Sequence, residues 1–407
     1  MKKNILKKIE AIVGDAHLTT AREDLMCYSY DSTGMEYMPT AVAFPGSAVE
    51  ISSIMELANK ELFPVIPRGA GTGMTGGSLP IQGGLVLVMS RLNRILEVDV
   101  ENQVAVVEPG VITGQFQAAV KKEALFYPPD PASRDFCTMG GNVAECSGGP
   151  SAVKYGVTRD YVLGLEVVLP DGRLMHTGVR TAKGVVGYDL TRLFIGSEGT
   201  LGIITKIVVR LLALPTHKKT YLVLTDSLRQ AAMLVSEILK RGILPNTLEY
   251  MDQTALHVVR EYLSLELPQS TRALLLVEVD GDENSTEEQG KKFLGMLADR
   301  RTYPGILGSD RLIMRRKSMI FGRPGAPFLR LHINCGLTRY PRMWWCRKQK
   351  FHSSLILPKS SPGSWVLSSS HSGMRETVTF MSISWWTRIT RKNTKKVKQQ
   401  KDCYLNM

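Results

Sequence analysis

The chain has 407 residues, 43% of them hydrophobic and 22% charged, with a formal net charge of +13. That length suits roughly two or three domains around a large core, and no apolar run is long enough to span a bilayer. The charge does not point to nucleic acid, because it sits at one end: residues 301–407 hold 21 Lys+Arg against 3 Asp+Glu, and residues 1–300 hold 30 against 35.

At the amino end, Met1-Lys2-Lys3-Asn4-Ile5-Leu6-Lys7-Lys8 has no apolar stretch behind its lysines and does not read as a signal peptide. The six cysteines show neither a metal spacing nor a paired framework. The expectation is a cytoplasmic protein with free thiols and no metal site.

Residues 1–45 predict a short charged helix, a polar approach at Tyr28-Ser29-Tyr30-Asp31, and a strand at Ala41-Val42-Ala43-Phe44. Ser47-Ala48-Val49-Glu50 reads as a capping box opening a helix whose apolar face is Val49, Ile54, Leu57 and Ala58. A β-branched run, Pro64-Val65-Ile66, leads into Pro67-Arg68-Gly69-Ala70-Gly71-Thr72-Gly73-Met74-Thr75-Gly76-Gly77, and Leu85–Met89 leads out. A loop with five glycines between two buried strands lets backbone N–H groups approach an anion closely, since no Cβ stands in the way. Thr72 and Thr75 add hydroxyls and Arg68 adds charge, so a diphosphate is the natural guest. The loop precedes a strand rather than a helix, so its cradle is made of loop amides, unlike the usual dinucleotide fingerprint.

Strands follow at Ile95–Asp99 and Val104–Glu108, then a helix over Gly114–Lys122 and a rigid extended Tyr127-Pro128-Pro129-Asp130-Pro131. Thr138–Gly149 reads as a second glycine-rich loop, suited to pressing backbone against a flat ligand. Tyr161–Pro170 and Arg173–Thr177 form a hairpin about an Asp171-Gly172 turn. A third glycine-rich stretch, Gly196–Thr205, feeds a strand at Lys206–Leu212. From Thr220 the glycine loops stop. Strands at Tyr221–Leu224 and Ala273–Val279 alternate with a helix over Leu228–Lys240, closed by Gly242, and one opened by a Ser285–Glu288 capping box and ending near Ala298. This alternation predicts a separate α+β domain.

Three glycine loops in this order, with Pro-Pro-Asp-Pro between the first two, resemble the FAD domain of the vanillyl-alcohol-oxidase/p-cresol-methylhydroxylase superfamily, over roughly residues 20–300. Within it the chain is most similar to the FAD-linked subunit of glycolate oxidase and the FAD-linked D-lactate dehydrogenases. The resemblance implies an α+β fold: a two-subdomain FAD-binding domain over residues 1–218, then an incomplete ferredoxin-like cap over 219–300. By position, Arg68, Gly69, Gly71, Thr72, Gly73, Thr75 and Gly76 resemble the family's pyrophosphate loop. Pro131, Thr138, Gly140, Gly141, Asn142 and Ala144 match its flavin-side segment, and Gly199, Ile203 and Ile204 its adenine- and ring-side contacts. The first loop has no histidine, so the resemblance implies non-covalent FAD. Cys146-Ser147 stands where relatives often have Asn-Ala.

The tail does not fit. The family's Val-Val-Val-Pro and Gly-His-x-Gly-Asp-Gly-Asn-x-His motifs are missing, and with them the histidines that serve substrate oxidation or a metal. Reading the last base of each codon with the first two of the next, His371–Ser382 permits Phe-Gly-His-Ala-Gly-Asp-Gly-Asn-Ile-His-Val. Met343-Trp344-Trp345-Cys346-Arg347 permits Val-Val-Val-Pro in the same frame. Residues 301–407 therefore read as an out-of-frame, non-native tail, with the break between about Arg300 and Ile313. That accounts for the basic charge and for all five tryptophans, Trp344, Trp345, Trp365, Trp385 and Trp386, lying there.

The resemblance implies that a small 2-hydroxy acid, glycolate or D-lactate, is oxidised by hydride transfer to the flavin, and allows for an iron–sulfur electron-acceptor subunit as partner. Arg180 and Lys183, before Gly187-Tyr188-Asp189, are candidates to clamp the substrate carboxylate, against the plainer reading of solvated loop charges. The catalytic residues are not named by what remains in frame. Three functions compete: a 2-hydroxy-acid dehydrogenase damaged in this copy, a non-catalytic FAD-binding remnant, and a nucleic-acid binder using Arg391-Lys392, Lys395-Lys396 and Lys398. The frame argument removes the motive for the last.

Overall fold

The computed structural model describes residues 1–181, 183–259, 267–299, 301–312, 356–358 and 365–367. They fall into two units: Met1–Gly149 with Gly156–Leu214, and Pro150–Tyr155 with the chain from Pro215 onward.

The first unit holds two sheets. Helix α1 (Lys3–Val13) buries Ile5, Ile9 and Val13, one residue per turn along one face. It packs, with α3 (Ala48–Glu61), on a sheet of β1 (Leu18–Thr19), β2 (Ala41–Ala43), β3 (Val65–Arg68) and β4 (Leu85–Val88) in the order β1-β2-β4-β3. Strands β2 and β3 flank β4 in parallel, and β1 is antiparallel. Leu85 and Leu87 face the helices, while Val86 and Val88 pack with Leu25 of α2 (Arg22–Cys27) and Val42. Burial on both faces explains why β4 reads as an unbroken apolar run.

The second sheet is antiparallel throughout, in the order β5 (Ile95–Asp99), β6 (Val104–Val107), β10 (Ile203–Arg210), β8 (Val162–Val168), β9 (Leu174–Gly178). The β8–β9 hairpin closes at Asp171-Gly172, where Gly172 has φ +87° and donates its N–H to Leu169 O at 2.9 Å. Around this sheet lie α4 (Thr113–Lys122), α5 (Met139–Glu145), α7 (Leu190–Phe194) and the paired short strands β7 (Leu125–Phe126) and β11 (Leu212–Ala213).

In the second unit, β12 (His217–Thr225), β13 (Thr247–Met251), β14 (Ala273–Gly281) and β15 (Ile306–Leu312) form an antiparallel sheet ordered β13-β14-β12-β15. With α8 (Leu228–Lys240) and α10 (Glu283–Ala298) the chain runs βαββαβ, and the strand order is ferredoxin-like. Val223, Leu275, Val277 and Val279 meet Leu234, Ile238, Phe293 and Met296 of those helices. On the other face, Leu222, Leu274 and Leu276 meet Ala255 and Leu256 of α9 (Gln253–Val259). The short α6 (Ala152–Tyr155) is tied to β14: Lys154 Nζ donates to Asp280 Oδ1 at 2.6 Å, and Tyr155 OH donates to the same carboxylate at 2.9–3.0 Å.

Several sequence expectations shift. Ser47 Oγ accepts from Glu50 N at 3.2 Å, but the Glu50 carboxylate accepts from Gly46 N, so the capping box is only half made. Val49 is 74% exposed, and Ile51 takes its place in the core. The cap of helix α10 lies three residues before the expected one, because Asp282 Oδ1 accepts from Ser285 N at 2.9 Å and the helix begins at Glu283. Strand β10 starts at Ile203 rather than Lys206. The fourth cap strand, β15, lies beyond the residue-300 boundary read from the sequence. In the tail, β16 (Ile356–Pro358) pairs antiparallel with β17 (Trp365–Leu367). The stretches holding Met343–Arg347, His371–Ser382 and the basic runs from Arg391 lie outside the described residues.

Candidate functional site

The three glycine-rich segments converge inside the first unit on a cleft of about 260 Å³. Arg68, at the end of β3, and Gly69, Gly71, Thr72 and Gly73, in the loop after it, line the cleft. Thr138, Gly140, Gly141, Asn142 and Ala144 line it from α5 and its cap, and Gly199, Ile203 and Ile204 from the start of β10. Of the remaining sequence candidates, Thr75, Gly76 and Pro131 are not on its wall, and neither are Arg180 and Lys183. Arg180 donates to Glu97 Oε1 at 2.5 Å, and the Lys183 carbonyl accepts from Thr181 Oγ1.

The second segment is not a loop. It folds as α5, with Thr138 Oγ1 accepting from Gly141 N at 3.2 Å and with Met139 and Val143 buried. Two glycines argue against a helix, but the cap and the buried face override that weak preference. Asn142 is 2% exposed and its amide donates to Thr113 Oγ1 at 2.6 Å, which fixes α5 against α4.

The glycines mainly let the walls close on one another. A Cβ at Gly69 would stand 2.4 Å from Thr138 Oγ1, and one at Gly199 2.4 Å from Pro67 Cγ. One at Gly140 would stand 2.5 Å from Pro109 Cβ. Gly71 has φ +65°, and its Cβ would lie 2.1 Å from Arg68 Nη2. The Arg68 guanidinium, 5% exposed, donates to Tyr30 O at 2.7 Å and lies 5.8 Å from the centre of the Tyr28 ring. Burial draws its pKa below the usual guanidinium value, and Asp31 opposes that shift.

Among the lining residues not expected as site residues are two acids: Glu145, at the end of α5, and Glu198, in the third segment. Thr75 Oγ1 stands between them, 3.1 Å from Glu145 Oε1 and 3.0 Å from Glu198 Oε2. Burial, then the charge of Glu198, pushes the Glu145 carboxyl above its usual range. Glu198 holds φ +53° and its N–H donates to Ala144 O at 3.0 Å, docking the third segment on α5. A non-glycine residue in the left-handed region is a strained placement of the kind that gathers at ligand clamps. Among the described residues, no group of three His, Cys, Asp or Glu side chains is placed to hold a metal ion.

A buried guanidinium, a run of side-chain-free backbone and an apolar flank of Met89, Ile203 and Ile204 along one cleft suit a molecule with a diphosphate and an aromatic ring. The fold and this cleft together define a flavin-binding unit followed by a ferredoxin-like domain. Family comparison agrees: the FAD binding domain model matches residues 39–178 and the model for the C-terminal domain of FAD linked oxidases matches residues 214–302. The chain belongs to the FAD-linked oxidases, and FAD is its cofactor. It is 46% identical to the glycolate oxidase subunit GlcD of Bacillus subtilis over 71% of this chain and 62% of that protein. To the D-lactate dehydrogenase of Anaerostipes hadrus it is 35% identical over 62% of this chain and 53% of that one. The chain thus spans less than two thirds of these relatives. In fold it is similar to p-cresol methylhydroxylase, with a TM-score of 0.62 at 19% identity, covering 76% of this chain and 65% of that one.

Proposed function

We propose that this chain comes from a lineage of FAD-dependent dehydrogenases that oxidise a D-2-hydroxy acid, glycolate or D-lactate, to the 2-oxo acid, and that this copy does not turn over. The observation that carries the reading is the convergence of three glycine-rich segments on one cleft, in a chain related to a glycolate oxidase subunit and a D-lactate dehydrogenase. FAD, when bound, supplies the two-electron acceptor. In this reading the amides of Gly69–Gly73 and the Arg68 guanidinium hold the diphosphate. Gly140, Gly141 and Ala144 give a ring access to α5 backbone, and Gly199, Ile203 and Ile204 close the opposite side.

The inactivity belongs to the tail: the residues that would take the substrate's hydroxyl proton and bind a divalent metal stand only in the shifted frame of 301–407. The domains in this reading run 1–218 for FAD, 219–300 for the partial cap and 301–407 for the out-of-frame tail. The cytoplasm is the proposed compartment, in keeping with the fact that no helix among the described residues is long and apolar enough to cross a membrane. An iron–sulfur subunit is the proposed electron acceptor.

The test is to restore a single reading frame near codons 300–313 and follow flavin bleaching with D-lactate and with glycolate. Bleaching by either acid in the restored chain, with none in the present one, is the expected result. Flavin binding without bleaching in both would favour the non-catalytic remnant. Bleaching in the present chain would refute the frame reading.

A further inference from the structure

Thr75 has one hydroxyl hydrogen but two carboxylate neighbours. Its oxygen lies 3.1 and 3.2 Å from the two Glu145 oxygens and 3.0 Å from Glu198 Oε2. One hydrogen serves one carboxylate, so with both acids ionised the other contact is an oxygen–oxygen repulsion. Neither acid stands in open space: a Cβ at Gly73 would lie 3.0 Å from Glu145 Oε1, and one at Gly77 2.6 Å from Glu198 Oε2. Both line the cleft, so a molecule filling it shuts water away from them. Asp31, 5% exposed, adds its charge to that of Glu198 on Glu145, and the cation lining the same cleft is the buried Arg68. Filling the cleft with a diphosphate therefore adds negative charge to a wall that already sets two acids against one guanidinium.

We propose that Glu145 and Glu198 share one proton, and that FAD binds tightly only to the form of the cleft that carries it. The proposal rests on the assignment of FAD to this cleft. The shared proton supplies the missing donor between Thr75 and the second carboxyl, and it removes one negative charge facing the diphosphate. Burial of Glu145 and the nearby Glu198 charge both favour holding it.

The sign follows from linkage. FAD raises the proton affinity of the pair, so the bound state holds more protons than the free state, and affinity falls as pH rises through the pair's own titration. FAD itself does not titrate between about pH 6 and about pH 8.

The experiment is fluorescence titration of the apoprotein with FAD across that range, for the full chain and for Glu198→Gln. The expected result is a loss of affinity of about tenfold or more in the unsubstituted protein for a one-proton linkage. In Glu198→Gln the amide supplies a permanent donor, and the change shrinks to less than about twofold. Infrared spectra of the two apoproteins should differ by a protonated carboxylic C=O band, present only without the substitution. Equal pH slopes in the two proteins, or no such band, would overturn the shared proton while leaving the cleft assignment standing. A folded protein that binds no FAD at any pH would overturn the cleft assignment and this proposal with it.

Discussion

Gly71→Ala should cost far more than a glycine-to-alanine change in a surface loop. Alanine at φ +65° costs about 1–2 kcal/mol of backbone strain. Its Cβ would also fall 2.1 Å from Arg68 Nη2 and 2.6 Å from Arg68 Cζ, so the guanidinium must leave the Tyr30 carbonyl. Losing a charge-assisted hydrogen bond at a buried site costs about 1.5–3 kcal/mol more. The sum is about 2.5–5 kcal/mol, a large share of the roughly 5–15 kcal/mol that keeps a protein folded. Gly34→Ala is the matched control: φ is +78° there, but nothing lies within 4 Å of the added Cβ, so only the backbone strain of about 1–2 kcal/mol applies. Urea unfolding of both variants, read at constant slope, gives the difference directly. Equal losses would mean that the guanidinium yields freely, and the account of Arg68 as a fixed cation of the cleft would fail.

Three further outcomes follow from particular contacts. Acid precipitation should release the yellow colour into the supernatant, since the first loop offers no histidine for a covalent link; colour held in the pellet would contradict this. Asp282→Ala should cost about 1 kcal/mol by urea unfolding, because its Oδ1 caps α10, whereas Ser285→Ala should cost under about 0.5 kcal/mol. The reverse ranking would restore the capping box read from the sequence. Limited proteolysis should cut within 313–407 before touching the first 312 residues, and survival of 301–407 as a compact fragment would refute an out-of-frame tail.

The first loop was legible because β-branched runs flank it on both sides and five glycines leave few other uses for the stretch. The ferredoxin-like domain was legible because α8 carries its cap, Ser227, and its buried residues Ala231, Leu234, Val235 and Ile238 at helical spacing. Helix α5 was hidden by Gly140-Gly141, since its stability comes from tertiary contacts of Met139, Val143 and Asn142. The acid pair was hidden for a different reason. Thr75 is 70 positions from Glu145 and 123 from Glu198, and no local pattern encodes a contact at that separation. Arg180 shows the converse: a plausible clamp in the sequence, it is engaged by Glu97, 83 positions away.

The six-residue visit of Pro150–Tyr155 to the second unit changes what counts as a separable part. A clean cut after Leu214 would leave α6 attached to the flavin-binding piece while β14 departs with Asp280. Lys154 and Tyr155 would lose the carboxylate they share. Replacing the second unit of this chain therefore means replacing two pieces, the stretch around α6 together with the chain from Pro215 onward. In this chain the second unit is thus written in two stretches of sequence, the shorter some sixty residues upstream of the longer.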